Sequence, residues 1–157
     1  MHLLTSVPTS LPQPSNADRF WAVDTKTQTE AQVLTIQEWV LGLPSPAAAV
    51  AIHAGEEFSD LFPYLGHLEL IEVHFPVFTD GRGFSTAREL RERGYNGILK
   101  VRGHVLLDQV EYLSRCGFDA FEFPEPGQAE AALLRLSVVR EVYQGDARQP
   151  LPLFRRR

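Results

Sequence analysis

Cysteine is nearly missing from this chain: Cys116 stands alone among 157 residues. One thiol excludes an internal disulfide and the stapled framework of an exported mini-domain. It equally excludes an iron–sulfur centre built by this chain alone, and no haem-attachment motif is present. Long apolar runs are also missing, none approaching the roughly 20 residues that span a bilayer. The start, Met1-His2-Leu3-Leu4-Thr5-Ser6-Val7-Pro8, has neither a basic opening nor a sustained apolar stretch, so no secretory signal is expected. There is no basic excess: the net charge of -5 argues against a general nucleic-acid binder, which needs cations to displace counterions. Neither the Walker Gly-Lys-Ser/Thr nor the dinucleotide GxGxxG fingerprint occurs. His53, His67 and His74 are too scattered in sequence to read as a metal-ligand set. These absences lead to the expectation of a cytoplasmic protein with no cofactor, no metal, no membrane partner and no nucleic-acid partner.

What is present is the composition of an ordered globular protein, 44% apolar and 22% charged, at a length that suits one domain. Residues 1–18, with Pro8, Pro12 and Pro14, read as a flexible N-terminal arm. Residues 19–147 read as a single α/β domain, and 148–157, ending in Arg155-Arg156-Arg157, as a basic tail. Within the domain, Phe20–Asp24 suggests a short strand. Thr35 precedes a helix with Glu38 three residues on, the spacing of a capping box. Small-apolar Ala48–His53 predicts a strand buried on both faces, and Phe58–Leu65 a short helix or turn with Ser59 as its cap. Strands follow at 68–75, 98–102 and 118–123. Helices are expected at 85–93, closed by Gly94, at 106–115, closed by Gly117, and at 128–143. Alternating units of this length force parallel strands. The expected fold is therefore α/β, a four- or five-stranded mainly parallel sheet with flanking helices. An open Rossmann-like sheet is favoured, because a lone half TIM-type barrel exposes two edges; the half-barrel is the alternative.

In either arrangement ligands bind at the C-terminal ends of the strands. The strand ending at Phe75 leads into Thr79-Asp80-Gly81-Arg82-Gly83-Phe84-Ser85. Gly81 and Gly83 permit close approach of a ligand, Arg82 offers a guanidinium fork, and Ser85 is placed to cap a helix whose free amides favour an anion. The competing reading is a tight turn with Arg82 paired to Asp80. Arg88 and Arg102 extend the anion-binding candidates, while Asp80 and Asp108 are the candidate proton handlers. His74 and Arg102 fall at neighbouring strand ends, and with His104, Gln109, Arg115 and Glu122 they are the candidate pocket lining. For the histidines a structural role is the plainer reading, and Asp108-Gln109 is most simply a helix-start pair. Cys116 closes a helix, where the dipole disfavours a thiolate, so packing rather than nucleophilic chemistry is expected.

The segments Phe75-Pro76-Val77-Phe78-Thr79-Asp80-Gly81-Arg82-Gly83-Phe84-Ser85 and Ala87-Arg88-Glu89-Leu90-Arg91 carry a family resemblance. So do Arg102-Gly103-His104-Val105-Leu106-Leu107-Asp108-Gln109 and Arg115-Cys116-Gly117-Phe118-Asp119-Ala120-Phe121. Residues 75–123 resemble the bacterial domain-of-unknown-function family 934, whose members are labelled probable oxidoreductases of sulfite reduction. The resemblance implies genes beside a sulfite or nitrite reductase and phosphoadenylyl-sulfate reductase, and hence those enzymes as partners. The chain departs from the family's pattern at His104, where the resemblance implies an acidic or small residue. Three functions follow as expectations. The first is an accessory protein of assimilatory sulfite reduction with an anion-binding face at the strand ends. The second is a small enzyme, an oxidoreductase by the family label, acting on a sulfur-containing or phosphorylated metabolite. The third is a homodimeric interaction module that buries its strand edges or Trp21 and Trp39.

Overall fold

A computed structural model describes residues 21–24, 33–42, 49–125, 127–138 and 142–156. The expected N-terminal arm lies outside the described residues. Six strands form one sheet: β1 (Trp21–Asp24), β2 (Leu34–Thr35), β3 (Ala49–His53), β4 (Leu70–Phe75), β5 (Ile98–Gly103) and β6 (Ala120–Phe123). The helices are α1 (Ile36–Leu41), α2 (Arg82–Glu92), α3 (Val110–Cys116) and α4 (Gln128–Val138), with 3₁₀ segments at Ser59–His67, Leu107–Gln109 and Leu153–Arg155. The strand order is β1-β6-β5-β4-β3-β2 and every pairing is parallel. An open, parallel α/β sheet is thus what the chain forms: five strands of four to six residues and a two-residue strand at one edge.

The winding is that of the half-barrel alternative. From β2 to β6 each strand lies beside its predecessor, without the reversal that defines a doubly wound sheet. Right-handed crossovers taken in one direction put successive helices on one face. The core records this. Val50 and Ile52 of β3, Ile71, Val73 and Phe75 of β4, Leu99 and Val101 of β5, and Phe121 and Phe123 of β6 belong to one cluster with Ala87, Leu90, Val110, Leu113 and Ala132 of α2, α3 and α4. Alternate strand residues point the other way. Among these, Ala49, Leu70 and Ala120 are buried yet stand outside that cluster.

Local signals hold where they are strong. Thr35 caps α1, its hydroxyl accepting from the Glu38 amide at 3.3 Å while the Glu38 carboxylate accepts from the Thr35 amide at 2.9 Å. Gly94 and Gly117 take positive φ, 87° and 115°, as expected of residues that close helices. Ser59 does not cap its segment; Phe58 holds the cap position, and the Glu57 carboxylate accepts the Ser59 amide at 3.0 Å. Trp39, expected at a dimer contact, is 2% exposed and meets Tyr64 edge-on within the chain's own core. The side chain of Trp21 lies outside the described residues. Toward the C-terminus, Arg148 donates from Nε to the Ser114 carbonyl at 2.8 Å and from Nη2 to Asp119 at 3.0 Å, joining the segment read as a tail to α3 and to the residue before β6.

Candidate functional site

The Asp80–Ser85 loop takes up its own charge. Asp80 accepts from Arg82 three times: the backbone amide at 3.1 Å, Nε at 2.9 Å and Nη2 at 2.7 Å. These bonds to the Arg82 guanidinium and amide hold the Asp80 carboxyl down at about 2, so it stays ionised at neutral pH and is no proton handler there. The Arg82 guanidinium lies against the backbone of Gly55, where a methyl group would fall 2.3 Å from Nη1. The glycines do not cradle a ligand either. Gly81 has an ordinary φ of -75°, and Gly83 lets α2 press onto the ring of Phe75, which a Cβ would meet at 2.4 Å. The helix begins at Arg82, so Ser85 is a helical residue and not its N-cap. Arg88 is paired with Glu92 at 3.0 Å on the solvent side of α2. With Ser85, Glu89, Glu92 and Arg93 it lines a shallow depression of about 420 Å³.

The other loop candidates brace structure. His104 Nδ1 lies 2.8 Å from the Pro76 carbonyl, and Gln109 Nε2 donates to the Phe78 carbonyl at 2.9 Å, so the β5–α3 loop holds the β4–α2 loop in place. Asp108 is exposed in the 3₁₀ turn, with no hydrogen bond or ion pair among the described residues. Arg115 lies at the C-terminal end of α3, where the chain turns into β6 at the opposite rim of the sheet, 3.6 Å from Asp146. It therefore does not join the others. Cys116 is buried, and that burial raises its thiol above the ordinary range, in keeping with a packing role.

A different group assembles on the sheet face turned away from the core. In register, Ala51, Glu72 and Lys100 form one row across β3, β4 and β5, and His53, His74 and Arg102 form the next, nearer the C-terminal ends. Glu122 of β6 completes the cluster. Glu72 binds Lys100 through Oε2 at 3.1 Å and Arg102 through Oε1 at 3.3 Å. Glu122 does the same, Oε2 contacting Lys100 Nζ and Oε1 lying 3.5 Å from Arg102 Nε. Two carboxylates thus each bridge both cations in a closed ring whose formal charges cancel. Its lower members are deeply placed, Glu72 at 3% and Glu122 at 6% exposed, whereas the Arg102 side chain is 44% exposed at the open end.

Beside Arg102 the imidazoles of His53 and His74 meet edge to face, ring centres 5.2 Å apart. Burial lowers the His74 pKa below the ordinary imidazole range, and the charges of His53 and Arg102 lower it further. His74 Nδ1 is buried without a hydrogen bond among the described residues. The arrangement is a guanidinium fixed by two carboxylates, flanked by two imidazoles, at the ligand-binding end of a parallel sheet.

Of the sequence candidates, the structure brings together His74, Arg102 and Glu122 and separates them from Arg88 and Arg115. Glu72, Lys100 and His53 were not singled out. Part of their signal is nonetheless in the chain: polar residues two apart, Glu72 and His74 in β4 and Lys100 and Arg102 in β5, in strands otherwise apolar.

Fold and site define a parallel α/β protein wound in one direction, with a charged, histidine-bearing cluster opposite its core. The chain belongs to the bacterial proteins of unknown function DUF934, whose family profile matches residues 49–154 and so spans β3 through the last 3₁₀ turn. A comparison with curated proteins returns no match.

Proposed function

We propose that this chain is an oxyanion-binding accessory protein of assimilatory sulfite reduction, its anion site being the row His53–His74–Arg102 and not the Asp80–Ser85 loop. The observation that carries the anion site is the placement of Arg102, clamped by Glu72 and Glu122 yet 44% exposed beside two imidazoles. A guanidinium whose orientation is set in advance loses little entropy on meeting an anion. Asp80 holds Arg82 more tightly, at 2.9 and 2.7 Å, than Glu72 and Glu122 hold Arg102, at 3.3 and 3.5 Å. The sulfur assignment rests on the resemblance of residues 75–123, and sulfite or nitrite reductase and phosphoadenylyl-sulfate reductase are the corresponding partners. Among the described residues no helix is long and apolar enough to cross a membrane, which fits a partner of enzymes in the cytoplasm.

Calorimetric titration with sulfite and with sulfate tests the site. Arg102→Met is expected to weaken binding at least about tenfold, the contribution of one charge-assisted contact, with the circular dichroism spectrum unchanged. No binding to the wild-type protein at about 10 mM anion, or equal binding by the variant, overturns the assignment. Co-purification with the sulfite reductase separates the accessory role from a small enzyme acting on a sulfur-containing or phosphorylated metabolite. In that second reading the same row serves, with Arg102 holding the anion and His74 handling a proton.

A further inference from the structure

The row carries one permanent cation and two titratable rings, and this has a consequence for the anion site just proposed, on which the present inference rests. His74 lies in register between His53 on β3 and Arg102 on β5. The groups facing it are His53, Arg102, His104 from the loop after β5, and Glu72 two residues back on its own strand. The first three oppose a charge on the ring and Glu72 favours it. Glu72 also serves Lys100 and Arg102, so its attraction is shared. Burial, with the charge of Arg102 beside it, therefore keeps the His74 imidazole neutral at neutral pH. An oxyanion beside Arg102 reverses that balance, because it adds a negative charge in a partly desolvated place.

We propose that anion capture at Arg102 is proton-coupled, with the His74 imidazole taking one proton from solvent as the oxyanion enters. No covalent bond forms or breaks; the proton moves from water or buffer to a ring nitrogen, and the site changes by one positive charge. One buried polar atom of the row, His74 Nδ1, lacks a hydrogen bond among the described residues, whereas Glu72 Oε2 is held by Lys100 Nζ at 3.1 Å. In the neutral ring one nitrogen is a donor and the other an acceptor. The protonated ring carries N–H on both nitrogens, so either one donates to an anion beside Arg102.

Sulfate is the probe, since its own charge does not change near neutral pH and every proton taken up belongs to the protein. Titration calorimetry of the full chain at about pH 6, 7 and 8, in buffers of different ionisation enthalpy, reads the uptake directly. Uptake approaching one proton per sulfate is expected, with affinity falling by up to about tenfold per pH unit on the alkaline side. His74→Gln is expected to bind sulfate with no uptake and a flat pH profile. Sulfate that binds the wild type with equal heat in both buffers overturns proton coupling while leaving the anion site standing; sulfate that does not bind removes both. Should the variant fail to fold, the ring resonances of the wild-type histidines decide. A rise in the His74 midpoint with sulfate supports the coupling, and an unmoved midpoint overturns it.

Discussion

Lys100 is held between two carboxylates at 12% side-chain exposure, a place where a lone ammonium would be costly. Each of its partners is still more deeply buried, so removing Lys100 leaves two buried carboxylates sharing the single guanidinium of Arg102. Lys100→Met is therefore expected to cost about 3–5 kcal/mol of stability, and a variant that also carries Glu72→Gln and Glu122→Gln to cost clearly less. Urea unfolding of the two checks this; equal losses sink the ring as a coupled unit. His74 makes the second statement at this scale. Its folded-state pKa is depressed, so the unfolded chain binds more protons in the window below the ordinary imidazole value of about 6.5. Stability is accordingly expected to fall as pH drops through that window, and to fall less in His74→Gln. Melting temperatures taken across the window measure it.

The start of α2 shows how element-level packing reassigns residues that look functional. Asp80, Gly81, Arg82, Gly83 and Ser85 have the composition of an anion loop, yet the Asp80 side chain accepts the Arg82 amide and starts the helix one turn before Ser85. The alternative reading of a turn with Asp80 paired to Arg82 was legible from two residues of separation. That Gly83 exists for contact with Phe75 was not, since the ring arrives from a strand eight residues earlier. The two glycines should therefore behave differently. Gly83→Ala forces the Cβ into a buried ring and is expected to cost about 1–3 kcal/mol. Gly81→Ala, with open space around the Cβ and an unstrained φ, is expected to stay within about 1 kcal/mol of wild type. Thermal unfolding distinguishes them, and equal losses at both positions remove the packing account.

For the whole molecule the decisive fact is strand order. β4 and β5 pair on both sides, whereas β2 is two residues long and paired only to β3. Amide exchange is expected to be slowest at core positions such as Ile71, Val73, Leu99 and Val101 and fastest at Leu34 and Thr35. Protection spread evenly from β2 to β6 contradicts the sheet as described. Residue types and local spacing were enough by themselves to place parallel strands, the Thr35–Glu38 box and the closures at Gly94 and Gly117, because those depend on neighbours a few positions away. They were also enough to put His74, Arg102 and Glu122 near strand ends. Only the tertiary structure decided the direction of winding, and with it which alternate residues share the face opposite the core. Register aligns His53 with His74 and Arg102, and Glu72 with Lys100, across 21 to 28 residues of chain. That alignment is a property of long-range pairing, which no local pattern carries. The loop that looked most like a site is therefore a self-paired helix start, and the site proposed above lies in the sheet beside it.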